Sequence, residues 1–128
     1  LEKRHIPVIV WPAPLGQVRA DEYDGHDLAL AAELEEAGVE VLIGSGATPG
    51  ATRELPLLAA LAIGHGLDRS AALEAVTLRA ARALDVADRI GTLELGKDAA
   101  LIVLDGAPFA STTRVRFVVS GGELVVEE

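Results

Sequence analysis

The chain contains no cysteine and no methionine, and aromatic residues make up only 3% of its 128 residues. Without cysteine there can be no disulfide framework and no thiolate metal site, which fits the cytosol as its compartment. Without methionine the chain holds no translation start, and its Leu1 is too large to follow an excised initiator. It is therefore expected to be a piece of a longer polypeptide. With so few rings, any core must be built from Ala, Val, Leu and Ile. Basic residues are also scarce: 11 against 20 acidic ones, a net charge of −9. That balance argues against a nucleic acid or an anionic membrane as partner. No apolar run approaches the length of a membrane span, and the first residues lack a signal-peptide pattern.

What is present is ample apolar material. Half of the residues are hydrophobic, which excludes a disordered chain and suffices for one small domain with a core. Residues 6–11 read as a buried strand ending at Pro12. Residues 13–25 form a loop punctuated by Pro14, Gly16 and Gly25. Asp27 can cap a helix running to Ala37, which Gly38 ends. Residues 39–43 are the next strand, followed by a small-residue loop over 44–50. Strand, helix, strand is the parallel crossover unit of α/β folds. Pro56 fits a helix first turn, Asp68 or Ser70 caps a further helix through Val76, and Thr77 opens a short one ending near Leu84. Beyond Arg89 the period becomes two. Val115, Phe117 and Val119 lead into a Ser120-Gly121-Gly122 turn and the strand Glu123-Leu124-Val125-Val126.

The most telling stretch is Ile90-Gly91-Thr92-Leu93-Glu94-Leu95-Gly96-Lys97-Asp98-Ala99-Ala100-Leu101-Ile102-Val103-Leu104. It reads as a short strand, a tight turn, and a strand apolar on both faces that must be covered on both sides. Gly96 can take positive φ, and the Asp98 carboxylate can bond backbone amides. This stretch resembles the C-terminal signature of the amidohydrolase superfamily, near its imidazolonepropionase and dipeptidase-like members. The likeness extends over residues 60–84 and 115–126, and more weakly over 6–45. It implies an α/β fold: the last two β/α units of a (β/α)8 barrel in residues 1–87, and strands of a small β-sandwich in 88–128.

In such a barrel, chemistry sits at the C-terminal ends of the strands. Two such ends occur here, Trp11-Pro12 and Gly44-Ser45-Gly46-Ala47-Thr48. Trp11, Ser45, Gly46 and Thr48 are therefore the candidates to face a substrate. The resemblance implies a divalent metal such as zinc, held by histidines on earlier strands and by an Asp on the last, whose carboxylate also takes a proton from the attacking water. Gly46 stands at that Asp position, and no Asp or Glu lies between Val41 and Arg53. This chain alone is thus expected to bind no metal and to be non-catalytic.

The remaining polar residues read more simply as structure. His5, His26 and His65 lack metal-ligand spacing, and Gly44-Ser45-Gly46 fits neither a phosphate loop nor a nucleophile elbow. Glu35 and Glu36 read as solvated surface, and Lys97 and Asp98 as parts of a turn. Three functions remain: the C-terminal segment of a hydrolase of C–N bonds in amides or cyclic amides, a degenerate binding or scaffolding module, or a hydrolase assembled from two chains. An isolated quarter-barrel would expose Val8, Val10, Val41 and Ile43. The expected partners are therefore a complementary N-terminal barrel segment or a second copy, with a small-molecule substrate where the barrel is complete.

Overall fold

A computed structural model of the chain describes residues 6–12, 28–46 and 51–127. These fall into two compact units that divide after Val76.

The first unit is built on two parallel strands, β1 (Val8–Val10) and β2 (Val41–Ile43), with Val8 opposite Val41 and Val10 opposite Ile43. Parallel pairing requires a crossover, and α1 (Leu30–Glu36) supplies it. The expected strand–helix–strand unit is present, with shorter elements. The helix begins after Ala29, which makes no side-chain cap bond, and Asp27 lies outside the described residues. A 3₁₀ turn (Ala51–Glu54) leads into α2 (Leu55–Gly64), where Pro56 occupies the first turn, and α3 (Arg69–Val76) follows.

Both α1 and α2 end in the same way. Gly38 (φ 76°) and Gly66 (φ 108°) adopt left-handed backbone, and the apolar residues that follow, Val39 and Leu67, are buried. Between the two capping candidates for α3 the structure selects Asp68. Its Oδ1 accepts from the amides of Ser70 (2.8 Å) and Ala71 (3.1 Å). Asp68→Ala should therefore cost about 1 kcal/mol, read as a lower midpoint in urea unfolding. Ser70→Ala should leave the midpoint unchanged, because the Ser70 backbone amide carries that contact.

The core of this unit is aliphatic, as the shortage of rings requires. Val41, Leu42 and Ile43 are buried beneath Leu58, Ala59, Ala62, Ala72 and Ala75. The alanines let α2 and α3 lie close to β2. This overturns one expectation: Val10, Val41 and Ile43 are buried and Val8 is half-buried; α2 and α3 already pack against β2, and β1 pairs with it. The exposed apolar residue of β1 is instead Ile9.

The second unit contains α4 (Leu78–Ala83) and a three-stranded antiparallel sheet in the order β3–β4–β5. Its strands are Leu101–Leu104, Val115–Ser120 and Glu123–Glu127. Gly121 (φ 59°) and Gly122 (φ 85°) form the two-residue hairpin loop, both positions needing the positive φ that glycine takes freely.

Two expectations for the signature stretch are corrected here. Residues 90–95 form turns and bends, not a strand. Their backbone is engaged in local bonds such as Ile90 N–H to Val86 O and Lys97 N–H to Glu94 O. In addition, β3 is not covered on both sides: Ile102 and Val103 are exposed, as are Leu124 and Val125 of β5. Among the described hydrophobic residues of this unit only Ala81 is fully buried, so the sheet has little core of its own.

Candidate functional site

Parallel pairing of β1 and β2 brings their C-terminal ends side by side, with Val10 opposite Ile43 and the Gly44 amide donating to the Val10 carbonyl at 2.8 Å. Trp11 and Gly46 thereby become neighbours. A Cβ built on Gly46 would lie 3.1 Å from Trp11 Cζ2, 3.2 Å from Cε2 and 3.5 Å from Cη2. The indole therefore covers the direction in which any side chain at position 46 would project. Gly46 also has φ 78°, a conformation glycine adopts without strain. Trp11 remains 42% exposed, Ser45 is half-buried and Gly46 is exposed. Of the four candidate substrate-facing residues, the structure brings Trp11 and Gly46 into contact and places Ser45 between two glycines beside them. Thr48 lies outside the described residues.

The donor chemistry at these strand ends does not suit a divalent metal. Trp11, Pro12, Gly44, Ser45 and Gly46 offer no carboxylate, imidazole or thiolate. Among the described residues no group of three His, Cys, Asp or Glu side chains could hold a metal ion. His65 is an exposed C-cap of α2, and His5 and His26 lie outside the described residues.

A groove of about 300 Å³ does occur in the first unit, lined by Ala32, Glu35, Glu36, Gly66, Leu67, Asp68 and Ala71. It sits at the opposite end of β2. Glu35 Oε1 accepts from the Val41 amide at 3.0 Å, which fixes the last turn of α1 against the start of that strand. Glu35 is thus half-buried and structural, contrary to its reading as solvated surface. Its neighbour Glu36 is exposed, as expected.

The signature turn also resolves into structural contacts. Gly96 has φ 91°. The Asp98 carboxylate bonds the Arg89 guanidinium, with Nη2 at 2.7 Å and Nε at 3.1 Å, rather than the backbone amides expected for it. Arg89 and Asp98 are further joined through the backbone, Asp98 N–H donating to Arg89 O at 2.8 Å. Lys97, 13% exposed, donates to the Thr92 hydroxyl and pairs with Glu94 at 3.4 Å. The Thr92 hydroxyl, and then the Lys97 ammonium, hold the Glu94 carboxyl below the ordinary glutamate range. The stability this lends is present above that range and is lost as pH falls through the lowered value; it is small, because Glu94 is exposed.

The amidohydrolase family matches residues 4–125 of this chain. The chain belongs to that family. The imidazolonepropionase of Geobacillus kaustophilus is 33% identical to it over 107 residues, which cover 77% of this chain and 25% of that protein. The imidazolonepropionase of Symbiobacterium thermophilum is 35% identical over 109 residues, covering 78% and 26%. Among solved structures, an amidohydrolase from Thermotoga maritima superposes with a TM-score of 0.85 at 29% identity, covering 99% of this chain and 33% of that one. The chain thus spans about a quarter of the length of these curated relatives. Its amidohydrolase neighbours imply a fold of the TIM-barrel type, to which these residues contribute a small α/β portion and a three-stranded antiparallel sheet. Among the described residues no helix is long and apolar enough to cross a membrane.

Proposed function

We propose that this chain is the C-terminal segment of an amidohydrolase-like hydrolase acting on C–N bonds of amide or cyclic-amide substrates, and that alone it does not catalyse. In this reading residues 1–87 are the last two β/α units of a (β/α)8 barrel, and residues 88–128 are strands of an appended β-sandwich. The supporting observation is the pair of parallel strand ends, set where barrel chemistry sits, in a chain whose family match runs almost end to end. That the relatives are imidazolonepropionases supports the substrate class. The test is co-expression with a segment carrying the missing strands, assayed against a panel of cyclic amides and dipeptides. Hydrolysis by the pair and none by the chain alone is the expected result. Hydrolysis by the chain alone would contradict the reading.

A second reading, a degenerate relative that binds or scaffolds, is favoured by one observation: the indole of Trp11 lies where a side chain at position 46 would project. An inert pair in the same assay would favour it.

In either reading the chain works against a partner in the cytoplasm, a complementary barrel segment or a second copy. The support is apolar surface that solvated chains seldom leave open: Ile9, Leu95, Ile102, Leu124 and Val125 are all exposed. Sedimentation of the purified chain should show a dimer or larger species. A clean monomer at high concentration with cooperative unfolding would speak against association.

A further inference from the structure

The antiparallel sheet of the second unit has two open edges, and they differ in charge. β4 is central, and among the described residues no further strand pairs with β3 on one side or with β5 on the other. An unpaired edge presents N–H and C=O groups to any chain able to lie alongside. β5 begins on Glu123 and ends on Glu127. β3 is Leu101-Ile102-Val103-Leu104, without a charge or a proline, and its Ile102 is 57% exposed. The strands of the first unit offer less. β1 lies between Pro7 and Pro12, which blunt an edge, and β2 is buried throughout.

A second copy can add to such an edge about a two-fold axis perpendicular to the sheet. Residues directly opposite each other then share a face, so the axis passes through a residue and not between two. The regular part of β3 is Leu101–Val103, because the register shifts between Val103 and Leu104. Its middle residue is Ile102. An axis there sets Ile102 against Ile102 of the other copy and Leu101 against Val103, all apolar pairs. The corresponding axis of β5 lies at Val125 and sets Glu123 against Glu127 at both ends. Like charges directly opposite destabilise a strand pair, in a chain whose net charge is already −9. Charge thus closes the β5 edge to a copy and leaves the β3 edge open to one.

We propose that two copies of this chain join edge to edge through β3, antiparallel, with Ile102 on the two-fold axis, so that the sheet continues in the order β5–β4–β3–β3–β4–β5. This pairing rests on the self-association proposed above, of which it names the surface.

The whole chain would be sedimented over a range of concentrations, with circular dichroism as the check on folding. A dimer is expected. Ile102→Lys sets like charges against each other on the axis and should raise the dimer dissociation constant about tenfold or more. Val125→Lys, at a similarly exposed apolar position on the other edge, should leave it unchanged. Both variants reduce the net negative charge equally, so general repulsion cannot separate them. Ile102→Glu should dimerise as poorly as Ile102→Lys, and an equimolar mixture of the two should recover the dimer, because only the axis residue meets its own copy. A monomeric parent would overturn self-association as a whole, and pairing only with a co-expressed barrel segment would give the edge to that segment. A parent dimer that Ile102→Lys leaves intact, or that Val125→Lys weakens as much, would overturn the β3 pairing alone. A mixture no tighter than either variant by itself would overturn the axis at Ile102.

Discussion

Alanine in place of Gly91 is expected to destabilise the second unit by about 3 kcal/mol, combining left-handed backbone strain with overpacking. Gly91 has φ 98°, and its missing Cβ would lie 2.8 Å from Ala81 Cβ, 3.1 Å from Leu78 Cα and 3.4 Å from the Thr77 carbonyl. Two of those three atoms are backbone, so no rotamer change relieves the contact. The signature stretch crosses α4 at this point, and only hydrogen fits between them. Gly96→Ala is the matching comparison. Gly96 has φ 91°, but nothing lies within 4 Å of its Cβ direction, so strain acts alone and about 1 kcal/mol is expected. Urea unfolding of the two variants separates packing from strain. Equal losses would show that the approach of α4 is looser than the structure has it.

The second large effect concerns Gly46→Asp. Adding an aspartate is the obvious attempt to restore the family's carboxylate, and on sequence alone the change looks harmless at a wet strand end. The structure predicts otherwise. The new Cβ sits 3.1 Å from the Trp11 ring on backbone with φ 78°, and the carboxylate must displace the indole to go further. A loss of about 2 kcal/mol is expected, with the Trp11 emission moving to longer wavelength as the ring enters water. Adding Trp11→Ala should recover the steric part and leave the backbone part, a coupling that a double-mutant cycle measures directly. Paired with a segment that carries the other barrel strands, Gly46→Asp alone should hydrolyse no faster than the parent pair. The double variant should exceed the parent pair, since a carboxylate positioned as general base is typically worth about 10²–10⁴-fold. Gly44→Asp should give no gain either with Trp11 in place or combined with Trp11→Ala, because its Cβ meets Ile9 Cγ2 at 2.8 Å instead of the ring.

The order of elements was legible in the residues themselves. Pro56 at a helix start, Gly38 at a helix end, and Gly121-Gly122 between alternating strands are local signals with local causes, and each appears where its chemistry places it. Misreadings arose where a tertiary contact decides. Residues 90–95 carry strand-like composition, yet their backbone bonds locally and the Arg89–Asp98 contact closes the turn. Glu35 looks like any surface glutamate until the start of β2 is known to lie against it. The same holds for the site. That Gly46 lacks a carboxylate can be read directly from the chain. That Trp11, far earlier in the chain, covers the same space cannot, because it depends on the register of two parallel strands joined by a helix.

We infer that an aromatic–glycine contact at the strand ends of this amidohydrolase chain stands in place of a metal ligand set. Calorimetric titration of the purified chain with zinc decides whether that is so. No stoichiometric site is expected, only weak non-saturating heat, and no change in that heat on Trp11→Ala. One zinc per chain bound more tightly than micromolar, weakened by substitutions at Ser45 or Trp11, would contradict it.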